Sequence, residues 1–166
     1  MKKALIFGNS GSGKSTLAQE LAAAEGLAHL DLDTIAWLEG TPPQRRPLPE
    51  SRQALLAFAD ANRGWVIEGC YADLLEMACP LATEMIFMDL PVDDCISNVR
   101  NRPWEPHKYP SKAAQDENLE MLIAWIREYD TRHDTFSRAA HQRLFDSFDG
   151  KKTRYASNQR TQEARP

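Results

Sequence analysis

The amino-acid sequence predicts a single α/β domain in which helices cover a parallel β-sheet. Short apolar runs alternate along the chain with amphipathic helical patterns, which is typical of parallel strands joined by crossover helices. The chain has 166 residues, of which 42% are hydrophobic, so one sizeable core can form. No stretch approaches the roughly 18 apolar residues of a membrane span, and we expect no membrane association.

The first two elements are a strand and a helix. The apolar run ending at Phe7 predicts a strand over Lys3–Phe7. Leu17 and Leu21 recur on one face of a helix predicted over Ser15–Ala24, and Gly26 supplies its end.

Two further strands follow in the first half of the chain. Ala28–Leu32 predicts the second strand, and Trp65–Ile67, closing on Glu68-Gly69, predicts the third. Between them, Leu55 and Phe58 lie on one face of a helix predicted over Ser51–Asn62.

The second half of the chain predicts two strands and three helices. The apolar run Met85–Leu90 is the fourth strand, which the following proline ends. Helices are predicted over Pro91–Asn101, Ala114–Tyr129 and Thr135–Phe148 from their apolar periodicity. Lys151–Ala156 has few apolar residues and can be a strand only at a sheet edge. Residues 157–166 form a polar tail.

Charge and cysteine content limit the possible partners and compartments. The net charge is −4, and residues 1–99 hold 7 Lys/Arg against 14 Asp/Glu, a balance of −7. This acidity does not favour nucleic-acid binding. The three cysteines match no metal or disulfide spacing, so we expect a reduced, cytoplasmic protein. We also expect the protein to act as a monomer.

A phosphate-binding loop follows the first strand. The motif G-x-x-x-x-G-K-[ST] is matched at every fixed position by Gly8-Asn9-Ser10-Gly11-Ser12-Gly13-Lys14-Ser15, and Thr16 continues it into the helix. Its backbone N–H groups and the helix N-terminus suit the phosphates of ATP. Lys14 is expected to bridge the β and γ phosphates, and Ser15 to ligate Mg²⁺.

The chain resembles small phosphate-loop kinases of the adenylate-kinase and shikimate-kinase-like group, and especially the adenylate-kinase-related topology modulation proteins. The resemblance spans nearly the whole chain and rests on the phosphate loop together with His29-Leu30-Asp31-Leu32-Asp33, Gly64-Trp65-Val66-Ile67-Glu68-Gly69 and Ile86-Phe87-Met88-Asp89-Leu90-Pro91. It implies a P-loop NTPase fold of three α/β/α layers around a five-stranded parallel sheet of order 2-3-1-4-5. It also implies a single kinase domain over 1–166, with an acceptor region at about 34–62 and a small lid at about 102–113.

Three acidic residues are candidates for the chemistry. By the resemblance, Asp31 would hold Mg²⁺ through water, and Asp33 would accept a proton or hydrogen bond from the acceptor hydroxyl. We expect these two side chains to point to opposite faces and to have separate roles. They could instead be turn or helix-capping residues. Glu68 is a second candidate for Mg²⁺-bound water, or it could pair with an arginine. Asp89 looks like a Walker B acid, but we interpret it as structural.

The resemblance also implies that lid arginines offset the charge of the transferred phosphoryl group. Arg102 matches the first lid arginine, and Arg132 is a candidate for a returning arginine, although a solvated helix face would explain it as well. Asn98 stands where relatives often place an arginine that stacks on adenine. The loop Ser157–Gln159 is a candidate for the adenine cradle.

These features predict transfer of the γ-phosphoryl group of ATP-Mg²⁺ to a small-molecule acceptor, with ADP as the other product. The acceptor could be a nucleotide, a nucleoside or another small metabolite. Trp37, Arg45, Arg46 and Arg52 in the acceptor region would suit an anionic or planar molecule, unless they form a solvated loop. Alternative functions are a nucleotide-dependent regulatory or DNA-topology protein and a simple ATPase.

Overall fold

The computed structural model describes residues 1–160, so the end of the predicted polar tail, residues 161–166, lies outside the described residues. The strands are β1 Lys3–Gly8, β2 Ala28–Asp31, β3 Trp65–Gly69, β4 Glu84–Met88 and β5 Lys151–Tyr155. The helices are α1 Lys14–Glu25, α2 Asp33–Ala36, α3 Leu48–Ala61, α4 Ala72–Ala78, α5 Val92–Arg100, α6 Lys112–Arg127 and α7 Arg138–Ser147. A 3-10 turn, Cys79–Leu81, follows α4. Within residues 1–160, no helix is both long and apolar enough to cross a bilayer.

The five strands form one parallel sheet in the order β2-β3-β1-β4-β5, which confirms the predicted topology. Among the described residues 1–160, the polar strand β5 pairs only with β4 and therefore lies at an edge, as its composition predicts. The central strand β1 pairs with both β3 and β4 and is almost entirely buried.

Two apolar cores, one on each face of the sheet, confirm the three-layer architecture. Alternate residues of β1 divide between them, with Leu5 facing one side and Ile6 the other. The first core packs the sheet against α3, α4 and α7 through Leu55, Leu74 and Leu144. The second packs it against α1, α5 and α6 through Leu17, Ala18, Cys95, Val99, Ile123 and Ile126.

Local capping explains where several helices begin and end. The Ser111 hydroxyl accepts a hydrogen bond from the Ala114 backbone N–H, and Ser137 does the same for Ala140. Each such cap contributes about 1 kcal/mol. Gly26, with a φ of 66°, ends α1 in the left-handed conformation that glycine adopts without steric cost.

The boundaries of the predicted elements shift by a few residues, and two short helices were not predicted. Helix α3 begins at Leu48 because a proline near its first position is compatible with a helix start. Helix α6 begins at Lys112, so the last residues of the predicted lid are helical. Helices α2 and α4 have four and seven residues, which is too short for an apolar period to be read.

The register of the strands brings the site residues to one edge of the sheet. Asp31 pairs with Glu68 across β2 and β3, and Gly8 pairs with Met88 across β1 and β4. All five strands are parallel, so their carboxyl ends share this edge. Ligands of open α/β sheets bind there.

Candidate functional site

The phosphate-binding loop connects β1 directly to α1, as predicted. Gly11 and Gly13 have φ values of 79° and 90°, which residues with a side chain rarely adopt. A Cβ added at Gly11 would also lie 2.6 Å from the Cys95 carbonyl oxygen of α5. The loop therefore needs glycine for its backbone conformation and for its close contact with α5.

Lys14 lies across this loop at the start of α1. Its Nζ donates a hydrogen bond to the Asn9 carbonyl oxygen at 2.8 Å. The Asn9 side chain, which is buried, donates in turn to the Ile126 carbonyl oxygen at 3.2 Å and so ties the loop to α6. The lysine is thus held at the loop, where a phosphate group would meet its charge.

Glu68 and Ser15 meet at the carboxyl end of β3. Ser15 Oγ donates to Glu68 Oε2 at 2.5 Å, and His29 Nε2 lies 3.6 Å from the same oxygen. Burial alone would raise the pKa of Glu68, but His29, Lys14 and Ser15 outweigh it, and the net pKa lies below the usual value. Glu68 therefore stays ionised and pairs with Ser15 and His29, rather than with the arginine considered from the sequence.

The reasoning that Asp31 and Asp33 point to opposite faces was wrong, because residues two apart on an extended strand share a face. The two residues also do not lie on one extended segment, since β2 ends at Asp31. Asp33 opens helix α2, and its backbone N–H donates to Asp31 Oδ1 at 2.9 Å. The short Asp31 side chain competes for local backbone donors and turns the chain at the end of β2. Asp31 therefore has the local turn contact considered as its alternative role, and its role at a metal ion stays a prediction.

The carboxyl group of Asp31 titrates unusually. Burial, the charge of Glu68 and the charge of Asp33 together raise the pKa of Asp31 from 3.8 to about 6. Concentrated negative charge of this kind is what a bound cation would relieve. A hydroxyl and carboxylates, supplied by Ser15, Asp31 and Glu68, are a donor set that suits Mg²⁺.

We expect Asp31→Asn to stabilise the protein in a pH-dependent way. The pKa of Asp31 is higher in the folded protein than in the unfolded chain, so ionising Asp31 lowers the free energy of unfolding. This loss is absent below a pH of about 4 and complete above a pH of about 6. Because Asp31 is partly open to solvent, we expect a gain of about 1–2 kcal/mol at pH 8 and almost none at pH 4. Chemical denaturation of both proteins at the two pH values measures it. The exposed Asp60→Asn on α3 is the control, and an equal gain at both pH values would contradict the assignment.

Asp33 is held on one side by a buried tyrosine and approached on the other by the lid. The Tyr71 hydroxyl donates a short hydrogen bond to Asp33 Oδ1. Lys108 Nζ lies 4.0 Å from Asp33 Oδ2. The sequence indicated neither residue, because both lie far from Asp33 along the chain.

Residues of the predicted lid form a wall of the cavity beside the phosphate-binding loop. This cavity has a volume of about 330 Å³, and Arg102 and Lys108 line it together with Lys14, Ser15 and Asp31. Residues 101–111 are not helical, as their prolines predict. Arg102 Nη1 lies 3.5 Å from Glu105 Oε2, so Arg102 forms an ion pair within its own segment while it also lines the cavity.

A buried glutamine of α6 fixes the lid. Gln115 Oε1 accepts from the Glu105 backbone N–H at 2.9 Å, and Gln115 Nε2 donates to the Pro103 carbonyl oxygen at 3.2 Å. Both ends of this short stretch are therefore attached to the first turns of α6.

Arg132 lies in a different environment from Arg102. It forms a two-pronged pair with Asp134, with N to O distances of 2.9 to 3.0 Å, and its guanidinium lies 3.5 Å from the centre of the Trp125 ring. It does not line the cavity beside the phosphate-binding loop. Its assignment as a returning arginine stays a prediction, and any role at the phosphates would require it to leave Asp134.

Asn98 and Asp89 connect α5 and β4 to the C-terminal part of the described chain. Asn98 Nδ2 donates to the Gly11 carbonyl oxygen at 2.8 Å, and Asn98 exchanges two amide hydrogen bonds with Asn158. Asp89 accepts hydrogen bonds from Arg138 and Arg154, which agrees with a structural role. Its burial opposes ionisation, but the two arginines hold its pKa below the usual range.

Two of the arginines expected to meet the acceptor are engaged within the protein. Arg45 pairs with Asp73 at 3.3 Å and lies 5.1 Å from the centre of the Tyr71 ring, while Arg46 donates to the Trp37 carbonyl oxygen at 3.1 Å. These contacts shape the acceptor region rather than leave two open cations in it.

Comparison with solved structures finds chains of similar architecture. A sugar kinase from Janibacter sp. HTCC2649 aligns with a TM-score of 0.52 and 14% sequence identity, over 94% of this chain and 85% of that one. TT1252 from Thermus thermophilus aligns with a TM-score of 0.53 and 16% identity, over 95% and 90% of the two chains. A shikimate kinase from Bacteroides thetaiotaomicron gives a TM-score of 0.47 and 17% identity, over 87% and 97%.

Sequence comparison finds no match that would identify a family. No protein-family model matches the chain, and no curated protein matches its sequence. The structural matches therefore show the fold alone. This fold has a five-stranded parallel sheet of order β2-β3-β1-β4-β5 with helices on both faces.

Proposed function

We propose that this protein is a kinase that transfers the γ-phosphoryl group of ATP-Mg²⁺ to a hydroxyl or phosphate group of a small-molecule acceptor. One observation carries the proposal: the phosphate-binding loop and the lid cations Arg102 and Lys108 line the same cavity of about 330 Å³. A site that closes cations over a nucleotide excludes water and offsets the charge that develops during phosphoryl transfer.

The proposed roles follow from the contacts of each residue. Residues Gly8 to Thr16 would hold the phosphates, with Lys14 at the β and γ groups. Ser15 would ligate Mg²⁺, with Asp31 and Glu68 binding its water molecules, and the ion would neutralise phosphate charge when bound.

The acceptor would enter beside α2. Asp33 Oδ2 faces the lid residue Lys108, which itself lines the cavity. This carboxylate oxygen would accept the proton or hydrogen bond of the attacking hydroxyl group. Glu68-Gly69-Cys70-Tyr71 stands where adenylate kinases carry D-G-F-P-R, so AMP is not the expected acceptor. We expect a cytoplasmic monomer without nucleic-acid or membrane partners.

Simple ATP hydrolysis is the second candidate, and one observation favours it. Arg45 and Arg46 are engaged with Asp73 and the Trp37 backbone, which leaves fewer cations for an anionic acceptor than the sequence indicated. The family resemblance also suggests a nucleotide-dependent regulatory or topology modulation role. In that role the protein would bind a nucleotide without acceptor-dependent turnover.

A screen for acceptor-dependent ADP release distinguishes these functions. Nucleosides, nucleotides and hydroxylated metabolites are each incubated with ATP-Mg²⁺ and the protein, beside Lys14→Ala as the control that lacks the phosphate contact. We expect at least one compound to raise ADP release above the rate without acceptor, and only in the wild type. Equal release with and without every compound would indicate an ATPase, and no release would favour the regulatory role.

A further inference from the structure

Tyr71 connects the third strand to the acceptor helix α2. It lies just beyond the carboxyl end of β3, is 2% exposed, and precedes the first turn of α4. Its hydroxyl oxygen accepts a hydrogen bond from Trp37 Nε1 at 2.8 Å. The same hydroxyl donates to Asp33 Oδ1.

The Trp37 indole N–H fixes the direction of both hydrogen bonds. An indole N–H can only donate, so the Tyr71 oxygen must accept, and its own proton is directed to Asp33. Burial and the nearby Asp33 raise the pKa of Tyr71, so the hydroxyl keeps this proton. Oδ1 of Asp33 is therefore occupied as an acceptor, and Oδ2 is the oxygen that faces Lys108 and the lid.

The ring that carries this hydroxyl is held on several sides. Phe136 packs edge-on against the Tyr71 ring with 5.3 Å between ring centres, and Trp37 packs similarly at 6.3 Å. Arg45 lies 5.1 Å from the centre of the ring. By contrast, the Asp33 side chain is 50% exposed. A buried and packed donor thus sets the orientation of a half-exposed carboxylate.

We propose that Tyr71, supported by Trp37, is a positioning residue that fixes the Asp33 carboxylate with Oδ2 directed toward the acceptor. The inference rests on the proposed function of Asp33. It assigns a role to the Glu-Gly-Cys-Tyr segment, which departs from the adenylate-kinase pattern. Fixing one oxygen removes rotation of the carboxylate before the hydroxyl group arrives. Positioning is, with electrostatic stabilisation, a principal source of rate in phosphoryl transfer.

The first test needs no ligand. The protein contains four tryptophans, and Trp37→Phe identifies the Trp37 indole peak in a ¹H–¹⁵N correlation spectrum. We expect Asp33→Asn to shift this peak. In the Tyr71→Phe background, which keeps the ring but removes the hydroxyl, the same Asp33→Asn change should shift it by less than about a third as much, because the connecting group is absent. An equal shift in both backgrounds overturns the proposal.

The second test measures whether the connection matters for turnover. With the acceptor that gives the fastest ADP release, or with water where none does, we expect Tyr71→Phe to lower kcat about 10-fold and to leave the KM for ATP within about threefold. Adding Tyr71→Phe to Asp33→Asn should lower kcat no further, since both changes remove the same function.

Tyr129→Phe is the matched control. Tyr129 is also 2% exposed, and its hydroxyl bonds a buried histidine nitrogen, His141 Nδ1, at 2.7 Å without touching Asp33. We expect its kcat to stay within about twofold of the wild type, although it also loses a buried hydrogen bond. Unchanged kcat in Tyr71→Phe, or an equal loss in Tyr129→Phe, would make Tyr71 only structural. Absence of any ADP release by the wild type would instead refute the kinase and ATPase functions, and the positioning role with them, before a variant is compared.

Discussion

Replacing Asp33 with asparagine is expected to lower acceptor-dependent turnover by about 10²-fold or more, while ATP affinity stays within a few-fold. Asparagine keeps the size of the side chain and can still accept from Tyr71, but it cannot take a proton from the acceptor. The phosphate contacts at Lys14 and the loop are untouched, so nucleotide binding should survive. Steady-state ADP release and calorimetric titration with a non-hydrolysable ATP analogue measure the two effects.

The control for this change is Asp146→Asn on α7. Asp146 is exposed and hydrogen-bonds only Gln142 on its own helix among the described contacts, so the substitution removes an equal charge far from the proposed chemistry. Normal turnover in Asp33→Asn would make Asp33 structural. Glu68 or Asp31 would then replace it as the candidate.

Replacing Lys14 with alanine is expected to weaken ATP binding by about 10- to 150-fold. A charge-assisted contact with a polyphosphate contributes about 1.5–3 kcal/mol, and each 1.4 kcal/mol corresponds to a factor of about 10 in affinity. The Asn9 carbonyl oxygen that Lys14 contacts lies at the loop and loses only one hydrogen bond. The fold should therefore survive the change.

Isothermal titration of the wild type and Lys14→Ala with the same ATP analogue measures this loss. Lys152→Ala is the matched control, since Lys152 Nζ donates to the Phe145 carbonyl oxygen away from the loop. Equal affinity of Lys14→Ala and the wild type would show that the loop does not hold the triphosphate as proposed.

The fold was predictable because its signals are local. A strand, a glycine-rich loop and a helix follow one another within residues 3–25, and apolar runs indicate the buried strands. The order of the strands, by contrast, came from the family resemblance and not from the residues alone. Helices α2 and α4 were not predicted because neither is long enough to show a helical periodicity of apolar residues.

The candidate site was predictable only where its residues lie near the phosphate-binding loop in sequence or at the ends of strands. The contact between Asp33 and Tyr71 joins residues 38 positions apart, and that between Asp33 and Lys108 joins a helix to a lid. No periodicity or motif encodes such pairs. From the sequence, Arg45 and Arg46 were candidates to bind an acceptor. The groups that engage them in the structure are brought close by tertiary packing, which the sequence pattern does not show.

The attachment of the lid to Gln115 has a kinetic consequence. A loop held at one point can fray residue by residue, but the 103–105 stretch is hydrogen-bonded at both ends to a single side chain of α6. To open, this stretch must either break both hydrogen bonds or carry the first turn of α6 with it. We therefore expect opening to be slower than the ns–μs motion of a free loop and to fall on the μs to ms timescale of collective motions. Product release through such a gate would set an upper limit on how fast the protein completes each cycle.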